Sequence, residues 1–169
     1  MVETKMIGNG AAGSSEGWHI TPATSAEAPT IARFNILLAK ETENLELDQG
    51  TVLSGVARGL SKAPEVRYLL ARENLHGDPV GQLMLTREWS DWRDGWVWWI
   101  QSVYVEQAFR RRGVMRALFR QVMEMAKADS GPVVLVRLYV EEHNGRAQAF
   151  YQGMGMADEG YRVWAWKTR

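Results

Sequence analysis

The stretch FRRRGVM, residues 109–115, concentrates positive charge and backbone freedom at one junction. Arg110, Arg111 and Arg112 precede Gly113, and Arg116 and Arg120 follow in what reads as a helix. A helix N-terminus presents unpaired N–H groups and a partial positive charge, so anions bind there readily. Gly113 lets the backbone approach an anion closely, and guanidinium groups pair well with phosphate. Exposed arginines at this end oppose the helix dipole, at about 0.3–1 kcal/mol each; a phosphate ligand removes that conflict. A solvated basic patch, of the kind that meets nucleic acid, is the competing reading of the same residues.

Asn144 and Tyr151 are a second candidate pair. Seven residues apart, they share a face two helical turns apart. A phenol is protonated near pH 7 and can act as a general acid toward a better base formed during a reaction. The plainer alternatives are aromatic packing of Tyr151 beside Phe150 and a simple N-cap for Asn144.

Composition narrows the classes. The 169 residues suit one domain. Lys plus Arg and Asp plus Glu both number 20, and this zero net charge argues against a nucleic-acid binder. The absence of cysteine removes a disulfide framework, a thiolate metal site and a cysteine nucleophile together. His19, His76 and His143 are too scattered for a metal site. No apolar run reaches the roughly 18 residues of a membrane span. The opening residues lack an apolar signal core, so a cytoplasmic protein is expected, with a flexible tail over 1–17 and a single domain over 18–169.

The elements that must position these groups follow from periodicity. A first strand is expected near 18–22, then a helix to about residue 40. A polar, acidic joint, ETENLELDQG, leads to a second helix that closes before Pro64. VRYLLAREN and VGQLMLTREW read as a hairpin across LHGDP. DWRDG turns into a third strand, WVWWIQSVYV. Beyond Gly113 the residues Val114, Ala117, Leu118, Val122 and Met125 form one helical face. The strand VVLVRLYV, a short helix in NGRAQAFYQGM and a last alternating strand, YRVWAWK, complete the chain. The fold class is therefore mixed α/β (α+β), with a mostly antiparallel central sheet flanked by helices.

Two stretches together resemble a known family. VYVEQAFRRRGVMRALF is similar to the acyl-CoA pyrophosphate motif, [Q/R]-x-x-G-x-[G/A], of the GNAT N-acetyltransferase superfamily. LYVEEHNGRAQAFYQGMGM is similar to its second signature, carried here by Asn144, Ala147, Phe150, Tyr151, Gly155 and Met156. The resemblance is strong over residues 97–167. It implies acetyl transfer from acetyl-CoA, as co-substrate, to a primary amine of a small molecule, cationic in one reading, by direct attack in a ternary complex. It assigns the pyrophosphate to Arg110, Arg111, Arg112, Gly113, Val114, Met115 and Arg116. The pantetheine arm falls to the backbone from Ser102 through Val103 to Val105, between splayed central strands. Asn144 would help position that arm, and Tyr151 would donate a proton to the departing thiolate.

The chain departs from that pattern in two places. The last small residue of the first motif is Met115. In several relatives a Glu or His on the fourth strand takes the amine's proton, and the corresponding positions here are Trp99 and Gln101, neither of them a base. The candidates from outside the strand are Glu41 and Glu43 in the acidic joint, where the family places one wall of the acceptor site; a solvated loop is the plain alternative. Trp89, Trp92, Trp96, Trp98 and Trp99 cluster near the expected cleft and suit core packing, a cationic acceptor or a homodimer contact. Alternation sets Trp98 and Trp99 on opposite faces, and Trp164 and Trp166 on one face of the last strand, as core or interface. An acyl-CoA-binding module without transferase activity is the rival reading.

Overall fold

The computed structural model describes residues 13–15 and 17–168. In chain order the elements are β1 (Gly13–Ser15), β2 (Trp18–Pro22), α1 (Ala28–Glu43), α2 (Gln49–Leu60), β3 (Val66–Arg72), β4 (Gly81–Ser90), β5 (Gly95–Val105), α3 (Val114–Ala128), β6 (Val133–Leu138) and α4 (Gly145–Gly153). The chain divides after Leu138 into two compact units. The first holds the sheet and α1 to α3, and the second holds α4.

The sheet runs β1 to β6 in sequence order. Pairs from β1 to β5 are antiparallel, and β5 pairs with β6 in parallel. A parallel pair needs a long crossover, and α3 supplies it. This is the mixed, mostly antiparallel class expected from the periodicities. Within the stretch read as a tail, Gly13–Ser15 pair with β2; residues 1–12 lie outside the described residues. No helix among the described residues is long and apolar enough to cross a membrane.

Alternation along β3 and β4 divides the core between two faces. On one face Tyr68 and Leu70 pack with Ala28, Ile31 and Ala32 of α1 and Val56 of α2. The other face meets α3: a side chain added at Gly81 would come within 3.2 Å of Val114, the first residue of that helix. There Asp129, at the C-cap of α3, receives Arg87 at 2.5 Å and Arg67 at 3.4 Å. Burial and the neighbouring Arg87 charge pull the Arg67 pKa down, and Asp129 opposes this.

Two expectations are corrected. Glu41 and Glu43 are not in a loop: α1 runs through them and stops at Asn44, whose left-handed backbone (φ 52°) ends the helix. The shortened joint still ends on Asp48, which caps α2 by accepting from the Thr51 amide at 2.8 Å. The last strand does not form, because YRVWAWK joins no ladder among the described residues. Alternation specifies a strand only where a neighbouring backbone completes its hydrogen bonds. Trp164 and Trp166 are accordingly exposed rather than core, at 90% and 92%.

Candidate active site

The loop between β5 and α3 is built to leave amides open. A short 3₁₀ turn, Gln107–Phe109, ends at Arg110. Arg111 then takes a left-handed backbone (φ 63°), and Gly113, the N-cap of α3, takes another (φ 86°). The Ala117 amide donates to the Gly113 carbonyl at 2.9 Å. The amides of Val114, Met115 and Arg116 precede that first helical bond. Gly113 has no side chain to cap them, and the first turn of α3 carries no acidic residue. An uncapped 15-residue helix behind a left-handed glycine is a ready anion site.

The arginines split by role. Arg110 turns back into the protein: Nε donates to the Val105 carbonyl at 2.8 Å, and the guanidinium bonds Glu41 at 2.5 Å and lies over the Tyr104 ring. Arg112 pairs with Glu73 and lies over Trp18 and Phe109, while the Trp18 indole donates to the Arg112 carbonyl at 2.8 Å. Arg111 and Arg116 are exposed and have no ion pair among the described residues. Met115 is half-buried, and its amide is present like any other.

Above the loop, β5 opens the sheet. Its pairing with β6 ends at Ile100↔Leu138, yet the strand continues to Val105. Gln101 to Val105, including Val103, therefore extend past the last rung shared with β6. The β4 pairing also slips between Gln82 and Met84, opposite a bulge at Ser102 with φ 48°. Gln82 is fully buried and anchors the bulge, its Nε2 donating to Ser102 O at 3.2 Å and to Asn35 Oδ1 of α1 at 2.5 Å. Its Oε1 is buried with no partner among the described residues.

Between α1, α2 and this bulge lies a cavity of about 350 Å³. Leu38, Leu47, Val52 and Val56 form aliphatic walls, Asn35 and Ser102 mark the sheet end, and Glu43 is the charged residue lining it. Glu41 points elsewhere: Tyr104 donates to it at 3.0 Å, beside Arg110. Burial works against its charge, but the hydrogen bonds from Arg110 and Tyr104 outweigh it and hold the carboxyl below its usual range. Tyr104 is raised by burial and by its bond to Glu41. The two candidate carboxylates are thus separated, one in the framework of the β5–α3 loop and one in the cavity.

Trp99 and Gln101 occupy the strand positions where relatives carry a base, and both are tied down. The Trp99 indole donates to Glu88 at 2.8 Å, and Gln101 donates to Thr86 at 2.6 Å. Trp98, on the opposite face, is 1% exposed. Asn35, Gln82 and Tyr104 escaped the sequence reading, because a polar residue in a strand or helix carries no signal of what it will meet across 20 to 63 residues.

The second unit carries the other motif. Asn144 caps α4, its side chain accepting from the Ala147 amide at 3.0 Å. Tyr151 lies one face along the same helix, edge-on to Phe150 at 5.5 Å between centroids. Burial pushes its phenol up to about 12.

Comparison with known proteins agrees with this geometry. The model of the "Acetyltransferase (GNAT) family" matches residues 34–156. A "possible acetyltransferase from Clostridium difficile 630" is 37% identical, with a TM-score of 0.82 over 90% of this chain and 98% of that one. Two more distant structures share the fold. One is a ribosomal-protein-alanine N-acetyltransferase from Brucella melitensis biovar Abortus 2308, at 16% identity and TM-score 0.68 over 90% and 99% of the two chains. The other is an aminoglycoside acetyltransferase from an uncultured soil metagenomic sample, at 18% and 0.69 over 89% and 99%. Among curated proteins nothing matches the sequence significantly. With both motifs inside the matched span and the fold shared over 90% of the chain, the chain belongs to the GNAT acetyltransferase family.

Proposed function

We propose that this chain moves an acetyl group from acetyl-CoA to a primary amine of a small molecule, by direct attack in a ternary complex. The observation that carries the reading is the uncapped start of α3 behind Gly113, a site shaped for a pyrophosphate. Amides from Arg111 to Arg116 would hold it, with the Arg111 and Arg116 guanidinium groups in reach of solvent-side phosphate oxygens. Arg110 and Arg112 fix the loop through Glu41, Glu73 and Trp18. The backbone of Val103 to Val105, beyond the last β6 rung, offers a free edge for an extended amide chain.

The co-substrate supplies the acetyl thioester. In the reaction the amine nitrogen forms a bond to the acetyl carbon and the carbon–sulfur bond breaks. The nitrogen's proton leaves to water or a carboxylate, and the thiolate gains one. Trp99 and Gln101 accept no proton, which leaves Glu43 as the carboxylate lining the acceptor cavity. As the resemblance implies, Tyr151 would donate its proton to the departing thiolate; burial raises its phenol and keeps it protonated in the neutral range. Asn144 spends its side-chain oxygen on the α4 cap and keeps its amide hydrogens for the cofactor arm.

The test is a thermal-shift titration with acetyl-CoA, beside dephospho-CoA and ATP, followed by a thiol-release assay on an amine panel. Saturation at about 100 times Kd stabilises by about 2.7 kcal/mol, a shift of several degrees. No shift overturns the reading. A shift without release on any amine leaves a CoA-binding module in place of an enzyme.

A further inference from the structure

The wall of the acceptor cavity contains a glycine that packing does not require. Helix α2 carries Gly55 and Gly59 one turn apart. At Gly59 an added Cβ would press on the Tyr68 hydroxyl at 3.0 Å, so that position is tight. Gly55 lines the cavity, and an added Cβ there meets nothing within 4 Å. Glycine inside a helix is disfavoured against alanine. Gly55 is itself solvent-exposed, so its missing side chain leaves the rim of the cavity low.

The rest of the lining says what that space suits. Leu38, Leu47, Val52 and Val56 present aliphatic surface, and Glu43 is the charged residue among those lining it. The volume, about 350 Å³, sits at the small end of the roughly 300–1,000 Å³ of ligand pockets. At the sheet end Asn35 and Ser102 are held by Gln82, whose buried Oε1 still lacks a partner. Ser102 belongs at once to the cavity and to the bulge of β5, so a nitrogen at that end lies where the strand opens.

Building on the transferase reading above, we infer that the acceptor is a monoamine with a compact apolar body, a short alkyl or arylalkyl amine. Its body packs on Leu38, Leu47, Val52 and Val56, entering past the low rim at Gly55, and Glu43 attracts its single positive charge. A polyamine or aminoglycoside would set several ammonium groups against aliphatic walls, with one carboxylate to meet them.

The experiment measures kcat/KM at saturating acetyl-CoA for butylamine, phenethylamine, spermidine and kanamycin, in the native protein, Gly55→Ala, Gly55→Leu and Glu43→Gln. Phenethylamine is expected to lead the panel. Gly55→Leu should lower its kcat/KM by about 20-fold while sparing butylamine, and Gly55→Ala should fold at least as well as the native chain. Glu43→Gln should lower the amine kcat/KM by about 100-fold and leave the acetyl-CoA thermal shift unchanged. A tenfold or greater preference for spermidine or kanamycin, or an equal loss on all amines in Gly55→Leu, overturns the inference. Phenethylamine binding is also read by thermal shift without cofactor. A Gly55-dependent amine shift in a protein that ignores acetyl-CoA upholds the cavity's assignment and overturns the transferase reading; no amine shift and no amine turnover overturns the assignment.

Discussion

Glu41 and Arg110, 69 residues apart in sequence, share a hydrogen bond of 2.5 Å, and Tyr104 donates to the same carboxylate. The end of α1 is thereby fastened to Arg110 of the β5–α3 loop. Glu41→Gln is expected to raise the acetyl-CoA KM several-fold and to leave kcat within about two-fold, whereas loss of a general base would cost about 100-fold or more. Steady-state kinetics at saturating amine separates the two.

The same pair sets a pH dependence. The folded-state pKa of Glu41 is depressed, so its contribution is present above the unfolded value, about 4.3, and is lost as pH falls through the folded one. Urea unfolding at pH 7 is expected to find Glu41→Gln less stable by about 0.5–1 kcal/mol, as for a partly exposed pair. The difference should shrink toward zero as the buffer is acidified below about pH 4.

Backbone and charge in the loop can be tested separately. Gly113→Ala forces a Cβ into a left-handed conformation at about 1–2 kcal/mol and crowds the anion, so acetyl-CoA affinity should fall by about tenfold or more. Arg111→Gly relieves a positive φ and removes a charge. Calorimetry is expected to show weaker acetyl-CoA binding with undiminished melting temperature.

Tyr151→Phe should lower kcat by about 100-fold at every pH between 6 and 10. With the phenol pushed up to about 12, no alkaline limb in that window belongs to it. A native profile that bends near pH 9 and becomes flat in Tyr151→Phe would contradict this assignment.

Asp129 is 8% exposed in its side chain and serves two arginines. Asp129→Ala removes the carboxylate that Arg87 and Arg67 share and leaves the two guanidinium groups repelling each other. Breaking such a buried pair costs about 3–5 kcal/mol, which urea denaturation would show as a large fall in midpoint with the slope little changed.

Much of this was legible where the determinant is local. Gly113 at a change of period announced the helix start, and Asp48 announced the cap of α2. The end of α1 was misplaced because Asn44, not a glycine or proline, takes the left-handed turn that stops it. The bulge at Ser102 changes register without changing composition, so alternation passes over it. The attachment of Arg110 to Glu41 and of Arg112 to Trp18 joins residues 69 and 94 apart, and nothing in either neighbourhood names its partner. YRVWAWK shows the converse, a strong local pattern whose outcome depends on a neighbour.

Gly55 gives the acceptor site an unusual freedom to change. Most positions that shape a cavity also hold the fold together, so altering what the cavity admits draws down stability. At Gly55 the two are uncoupled: a larger residue favours the helix while it raises the rim of the cavity. Selection could therefore walk the substrate range of this enzyme up or down at one codon without approaching the stability threshold that limits most adaptive paths.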